Sequence, residues 1–222
     1  MNNFVRRVAQ AGLGNLPTFE NTWTLVEDLL RRGIRGDLIE CGVFAGAHPA
    51  IMAKVLQEQG DTRKRVHLFD SFQGIPEAGP EDDQQPGIGP KPPGAQGRLI
   101  SSGVSACSLV QVKANMMNWG VDGTKLVFHE GWFQKTVPAA KIDEIALLRL
   151  DGDLYESTKV CLKHLGPKVS HGGFIVIDDF GLAGCRKAVA EYRDEHGRFG
   201  EVIGIPGGGG PAYWMVAYPS EY

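Results

Sequence analysis

Two short apolar runs in the second half of the chain end abruptly in carboxylates. The run Ala-Leu-Leu-Arg-Leu leads into Asp151, and the run Phe-Ile-Val-Ile leads into Asp178 and Asp179. Apolar runs of this length, flanked by glycine, predict strands that are buried on both faces. Residues 156–169 between them fit a helix, and a strand joined to the next strand through a helix predicts that the two strands are parallel.

The same pattern continues on both sides of this unit. Short apolar runs alternate with amphipathic stretches, and the last two runs are joined by the short Gly- and Pro-rich connection 206–211, which favours an antiparallel hairpin. We therefore predict an α/β fold with a doubly wound, mostly parallel seven-stranded sheet and a C-terminal antiparallel hairpin. Helices are predicted at residues 18–32, 49–59, 101–119, 156–169 and 184–196.

One stretch departs from this alternation. Residues 74–98 hold much of the proline and glycine of the chain and cannot sustain a helix or a strand. Because the sheet pattern continues after it, we interpret this stretch as a lid loop over the strand ends rather than a domain linker, with disorder as the alternative. The chain is thus predicted to form one domain, residues 18–222, after an N-terminal arm, residues 1–17, that packs on a partner subunit.

Composition narrows the possible classes of protein. The 222 residues are 42% hydrophobic and 22% charged with a net charge of −3, as in an ordinary globular protein. No basic block indicates nucleic-acid or membrane-surface binding, and neither kind of partner is expected. The 4 cysteines include no Cys-x-x-Cys pair, and no apolar leader follows the N-terminus, so we expect reduced thiols and a cytoplasmic protein.

The aspartates that end the two opening strands are the first candidate site. In an open parallel sheet, ligands bind beyond the carboxyl ends of the strands, so Asp151, Asp153, Asp178 and Asp179 are predicted to meet at one edge. Clustered carboxylates repel one another unless a cation neutralises them, and all-oxygen ligands favour Mg²⁺ first and then Ca²⁺ or Mn²⁺. The alternative interpretation is that one or two of these aspartates only cap helices.

A second group of candidates follows the first three strands. Glu40, Gly42 and Gly46 have the spacing Glu-x-Gly-x-x-x-Gly, which lets a ligand approach the backbone at a helix N-terminus but is not the Gly-x-Gly-x-x-Gly dinucleotide fingerprint. Asp70 ends the next strand, where doubly wound folds hold ribose hydroxyls. The aromatic pair at 132–133 suits stacking on a flat ring, or else belongs to the core.

Five motifs, in order along the chain, resemble those of the macrocin O-methyltransferase family, also called TylF-type. The motifs are Ile39-Glu-Cys-Gly-Val-Phe-Ala-Gly, Leu68-Phe-Asp-Ser-Phe-Gln-Gly-Ile-Pro, Gly131-Trp-Phe-Gln-Lys-Thr-Val-Pro, Leu150-Asp-Gly-Asp-Leu-Tyr-Glu-Ser-Thr and Gly172-Gly-Phe-Ile-Val-Ile-Asp-Asp-Phe-Gly. The resemblance implies the class I methyltransferase fold, S-adenosyl-L-methionine and Mg²⁺ as cofactors, and a homo-oligomer. It also implies O-methylation of a hydroxyl on a small molecule, most often a sugar of a natural product.

The resemblance further implies roles for individual residues. Asp151, Asp178 and Asp179 match the metal ligands of the family, and Asp153 matches the general base. His48 is a departure, because it stands where the family usually has a small hydroxyl residue, and it either donates to the cofactor or points away. The positions that match the cofactor site are Glu40, Gly42, Phe44, Gly46, Asp70, Ser71, Gly131, Trp132, Phe133 and Asp151.

Other functions fit parts of the same pattern. A non-sugar diol or a catechol-like acceptor would suit the same metal site. A nicotinamide-dependent oxidoreductase would use a similar sheet, but the missing dinucleotide fingerprint counts against it. A non-catalytic binding protein of the same fold would have no need to keep four clustered acids.

Overall fold

The computed structural model describes residues 2–197, 200–208 and 210–218. Its central sheet has 7 strands in the order β3-β2-β1-β4-β5-β7-β6. The first five strands are parallel, whereas β7 is antiparallel to both β5 and β6, which confirms the predicted fold class. The strands are β1 (Asp37–Cys41), β2 (Val66–Asp70), β3 (Leu126–Glu130), β4 (Ile145–Leu150), β5 (Val169–Ile177), β6 (Ile203–Gly204) and β7 (Ala212–Met215).

Helices cover both faces of the sheet. One core cluster packs α1 to α4 on one face, and a second packs α5, α6 and α7 on the other. Each face buries aliphatic side chains of alternate strand positions, as expected of a doubly wound sheet. The helices are α1 (Asn3–Ala9), α2 (Leu16–Arg31), α3 (Ala47–Glu58), α4 (Leu109–Asn118), α5 (Phe133–Ala139), α6 (Tyr155–Leu165) and α7 (Ala183–His196).

The order of the strands places the functional edge of the sheet. The chain moves outward from β1 through β2 to β3 and then returns to put β4 on the other side of β1. The strand order therefore reverses between β1 and β4. Ligands of open α/β sheets bind at such a switch point, beyond the carboxyl ends of the strands.

Three predicted element boundaries are wrong for local reasons. Helix α2 begins at Leu16, because the side chain of Asn15 accepts the Thr18 N–H and caps the helix earlier than expected. Helix α4 begins only after Ser108, which caps it through Gln111 N–H. Strand β5 begins at Val169, which pairs with Ile145 of β4, and the register then shifts before Phe174 pairs with Leu147.

The N-terminal arm contains helix α1, which packs on its own chain. Phe4, Val5 and Val8 are buried in the core cluster that α1 shares with α2 and α3. No helix in the described part of the chain has the length and apolar character needed to cross a bilayer. Association of the arm with a partner subunit stays a prediction.

The Pro- and Gly-rich segment, residues 74–98, is held mostly by loop hydrogen bonds. Its regular structure is one antiparallel pair of two-residue strands, Gln84–Gln85 and Gly89–Pro90. The buried Gln85 side chain accepts the Ala78 N–H at 2.7 Å, and Gly97 N–H donates to the Ala78 carbonyl at 3.1 Å. The segment therefore has a defined conformation, and its movement as a lid stays a prediction.

Candidate active site

A cavity of about 270 Å³ opens beyond the carboxyl ends of β1, β2, β4 and β5. It lies at the switch point of the sheet, where the topology predicts a ligand. Its walls include residues from the N-terminal region that the sequence patterns did not single out, among them Leu13 and Phe19. The predicted site residues that line it are Glu40, Gly42, Phe44, Asp70, Ser71, Trp132, Phe133, Asp151, Asp153, Asp178 and Asp179.

Gly46 and Gly131 do not line this cavity. Gly46 precedes α3 and faces α4, because a Cβ built on it would lie 2.6 Å from Met116 Cε. The Gly131 N–H donates to the Asp70 carbonyl at 2.9 Å and so ties the ends of β3 and β2 together. Both glycines shape the loops around the cavity, and a direct contact of either with a cofactor stays a prediction.

Three carboxylates converge at the floor of the cavity. One oxygen from each of Asp151, Asp153 and Asp179 lies within 4.8 Å of the other two. The Asp153 N–H donates to Oδ2 of Asp179 at 2.8 Å and fixes their relative position. Burial, followed by the neighbouring carboxylates, raises the pKa of all three acids. An all-oxygen group with this mutual repulsion fits a hard divalent cation such as Mg²⁺.

Asp178 is not part of this group of three. Its Oδ1 accepts a hydrogen bond from Nη2 of Arg149. The three acids that lie close together are therefore not the three metal ligands that the resemblance implies. Asp151 and Asp179 are common to both, but Asp153 takes the place of Asp178. The four acids nevertheless line the same cavity, so the division between ligand and base stays a prediction.

Arg149 is a buried residue of the site that the sequence analysis missed. Its side chain is 2% exposed, and it bonds Glu40 at 2.7 Å, Asp151 at 2.9 Å and also Asp178. The neighbouring carboxylates overcome the opposing effect of burial and raise the pKa of Arg149, which keeps it charged. The sequence does contain one indication of this role, because Arg149 is a single cationic residue inside the apolar run of β4, two residues before Asp151.

Glu40 carries a buried oxygen that accepts no hydrogen bond in the described part of the chain. Oε1 accepts from Arg149, whereas Oε2 has no hydrogen-bond partner among the described residues. Burial raises the pKa of Glu40 well above its usual value, although the charge of Arg149 opposes the shift. Leaving a buried acceptor unpaired is costly, so a donor group of a bound ligand fits against Oε2.

Gly42 allows the loops after β1 and β4 to meet. It has φ +94°, and a Cβ built on it would overlap the carbonyl oxygen of Asp151. Only glycine fits this backbone conformation and this close approach. The predicted importance of Gly42 therefore has a structural basis, in addition to its place in the cavity wall.

Asp70 joins the turn after β1 to the end of β2. Its Oδ2 accepts the N–H of Val43 at 2.6 Å and of Phe44 at 3.2 Å, and its Oδ1 accepts the N–H of Phe72 at 2.6 Å. Burial raises the pKa of Asp70, although these three bonds oppose the shift. The side chain of Asp70 lies in the cavity wall, and its contact with a ribose hydroxyl stays a prediction.

His48 lies in the cavity wall with a buried, neutral ring. Its Nδ1 shares a hydrogen bond of 2.8 Å with Thr22 Oγ1, and the ring stacks on Phe19 at 4.3 Å. Burial lowers the pKa of His48 well below its usual value, and the charge of Arg149 acts in the same direction. The ring is therefore positioned by α2, and a contact with the cofactor stays a prediction.

The fold is that of the class I O-methyltransferases, as a comparison with solved structures shows. The solved structure of the O-methyltransferase NovP matches 92% of this chain and 81% of its own, with a TM-score of 0.79 and 35% identity. The calicheamicin methyltransferase CalS11 has the same fold, with a TM-score of 0.64 and 22% identity over 96% of this chain and 91% of its own.

The chain belongs to the macrocin O-methyltransferase (TylF) family, whose sequence model matches residues 9–214. A Streptomyces olivaceus protein, 8-demethyl-8-(2,3-dimethoxy-alpha-L-rhamnosyl)-tetracenomycin-C 4'-O-methyltransferase, is 39% identical over 90% of this chain and 73% of its own length. Mycinamicin III 3''-O-methyltransferase of Micromonospora griseorubida is 36% identical over 93% of this chain and 78% of its own.

Proposed function

We propose that this protein transfers the methyl group of S-adenosylmethionine to a sugar hydroxyl of a glycosylated natural product, with Mg²⁺ as a second cofactor. The observation that carries the proposal is the convergence of Asp151, Asp153 and Asp179 inside the cavity of an O-methyltransferase fold. The sugar acceptor is supported by the relative from Streptomyces olivaceus, whose name specifies a rhamnosyl substrate.

Four residues are proposed to hold the methyl donor. The unpaired Oε2 of Glu40 faces the ammonium group, and the carboxylate of Asp70, which lines the cavity, faces the ribose. Trp132 and Phe133 supply aromatic walls of the cavity against which the adenine lies. The sulfonium of the bound donor supplies the activated methyl group, so the protein mainly has to align donor and acceptor.

Asp151 and Asp179 are proposed to hold the cation, together with Asp178 as the resemblance implies. A divalent ion bound there would favour the deprotonated form of an acceptor hydroxyl. Asp178 accepts from Arg149 through Oδ1, and its Oδ2 stays available to a cation. Asp153 is the alternative third acid, because it lies within 4.8 Å of Asp151 and Asp179.

Asp153 is proposed to accept the proton of the acceptor hydroxyl. Its carboxylate lies in the cavity wall, and burial together with the nearby Asp178 and Asp70 raises its pKa. A base whose pKa lies closer to neutrality binds the transferred proton more strongly than an ordinary carboxylate does. The buried apolar side chains of Phe19 and Ile75 also line this cavity.

A matched acceptor panel tests the proposal. The purified protein is incubated with S-adenosylmethionine and a rhamnosyl glycoside, a nucleotide sugar or a catechol, and release of S-adenosylhomocysteine is measured. Each reaction is run with EDTA and after Mg²⁺ is restored. We expect turnover of a sugar-containing acceptor that EDTA abolishes and Mg²⁺ recovers. Full turnover in EDTA would remove the metal from the proposal, and turnover of the catechol alone would replace the sugar.

A further inference from the structure

The Pro- and Gly-rich segment is tied to the catalytic edge by a buried carboxylate. Asp82 is 5% exposed, and its Oδ2 accepts the Gly79 N–H of the same loop at 2.9 Å. Its Oδ1 accepts the N–H of Tyr155, the first residue of α6, also at 2.9 Å. Leu154 precedes α6 and has no side-chain acceptor, so the distant segment supplies the cap that the helix sequence lacks.

Apolar packing reinforces this connection. Ile75 and Ala78 from the start of the segment form a small buried cluster with Leu154. Two successive residues, Leu154 and Tyr155, are therefore held by the same loop, one through side-chain contact and the other through its N–H. The loop fixes the position of the backbone immediately after Asp153.

Asp153 itself has a backbone conformation that needs such support. Its φ is +60°, in the left-handed region that residues with a Cβ rarely adopt. Residues in such conformations persist when the surrounding structure over-determines them. The bond from Asp153 N–H to Asp179 holds one side of the turn, and the contacts of Leu154 and Tyr155 hold the other.

We propose that Asp82 is a positioning residue for methyl transfer, which orients Asp153 toward the acceptor through the N–H of Tyr155. The inference rests on the proposed role of Asp153 as the general base. It gives the Pro- and Gly-rich segment a defined part in the reaction, since one of its side chains completes the loop that carries the base.

Gly184 offers an independent way to disturb the same contact. It is the second residue of α7, and a Cβ built on it would overlap Oδ1 of Asp82. Gly184→Ala therefore displaces the Asp82 carboxylate without changing Asp82 itself. In a chain that also carries Asp82→Ala, the added methyl group no longer meets a carboxylate, and its remaining close neighbour is Tyr155 Cβ at 3.2 Å.

The experiment compares Asp82→Ala and Asp82→Asn with Asp83→Asn, which removes the same charge from an exposed neighbour. We measure kcat, acceptor KM, S-adenosylhomocysteine affinity and Tm for each. Asp82→Ala is expected to lower kcat by about 10- to 100-fold, because small displacements of catalytic groups cost this much. Asp82→Asn keeps one acceptor oxygen and recovers part of the rate, whereas Asp83→Asn matches the wild type, and cofactor affinity is retained in all three.

Two double mutants distinguish positioning from general damage. Gly184→Ala is expected to lower kcat in the wild type but to add little in the Asp82→Ala background. Asp82→Ala should likewise add little in an Asp153→Asn background. Additive losses in both pairs, or a wild-type kcat in Asp82→Ala, would overturn the inference. A wild-type rate in Asp153→Asn alone would instead contradict the proposed base. If Asp82→Ala does not fold, the kcat values of Gly184→Ala and Asp82→Asn are compared with the wild type instead.

Discussion

Arg149 and Glu40 form a buried ion pair, in which Nη1 donates to Oε1 over 2.7 Å. The two residues lie opposite each other in the register of β4 and β1. Arg149 also bonds Asp151 and Asp178. One guanidinium therefore connects the proposed cofactor end of the cavity to its acidic end.

Glu40→Gln is expected to weaken binding of S-adenosylhomocysteine by roughly 10- to 100-fold, the usual worth of a charge-assisted hydrogen bond. The substitution keeps the shape of the side chain and an acceptor for Arg149, but it removes the carboxylate that is proposed to face the ammonium of the ligand. Isothermal titration calorimetry measures the effect, with Glu27→Gln on the exposed side of α2 as the control. Equal affinities of the two variants would contradict the proposed contact.

Arg149→Met is expected to lower the free energy of unfolding by about 3–5 kcal/mol, because it leaves buried carboxylates without their cation. Arg149→Lys should recover only part of this loss, since an ammonium lacks the planar fork that reaches several carboxylates at once. Urea unfolding at neutral pH measures both. As a control, Arg98→Gln removes the exposed pair with Glu77 and should leave stability unchanged. An Arg149→Met protein as stable as the wild type would show that the cluster does not stabilise the fold.

Asp153→Asn and Asp179→Asn separate the base from the cation ligand. Loss of a general base costs about 100-fold or more in kcat, so we expect Asp153→Asn to lose turnover while it keeps its affinity for Mn²⁺ and S-adenosylhomocysteine. Asp179→Asn is expected to lose Mn²⁺ affinity, measured by electron paramagnetic resonance. If Asp153→Asn also loses Mn²⁺ affinity, Asp153 is a ligand, as the geometric group of three acids suggests.

Because the pKa of His129 is lowered, we expect the folded protein to lose stability in mild acid. Burial, with a smaller effect of the neighbouring His67, lowers the pKa of His129 to about 4. The unfolded chain binds the proton already at a pH of about 6.5. Stability is therefore fully present above that pH and falls as the pH drops toward 4. The loss is about 1–2 kcal/mol, allowing for the partial exposure of the ring.

The matched variant for this prediction is His129→Phe, which removes the titrating group and keeps an aromatic ring against Phe69. The two rings now stack with their centroids 3.9 Å apart. Urea unfolding of both proteins at pH 7 and pH 5 gives the change in the free energy of unfolding between these two pH values. If the variant loses as much stability between these pH values as the wild type does, the acid sensitivity arises elsewhere.

Most of the fold was predictable because hydrophobic periodicity and glycine breaks mark its elements. The ends of elements were less predictable when a single side chain decided them, as Asn15 does for α2 and Ser108 for α4. Strand β5 extends through two glycines, where the Gly172 N–H donates to the Val216 carbonyl and the Val216 N–H donates to the Gly173 carbonyl. That support depends on the sheet and is invisible in the local sequence.

The acidic residues of the site were predictable because each ends an apolar strand. Arg149 was not, because its partners come from β1 and β5, and no pattern along one chain reveals which strands become neighbours. The contribution of Asp82 was hidden for the same reason. It stands in a segment without periodicity and contacts a helix 73 positions away.

The close approach of Gly42 to Asp151 has a consequence for related genes. A side chain at position 42 could be accommodated only if the carbonyl of Asp151 moved, and the acids that follow it would move as well. A duplicated or engineered copy with any other residue at this position would have to separate the two loops. The residue at position 42 therefore indicates whether a related sequence can keep the aspartates after β4 in the positions seen here.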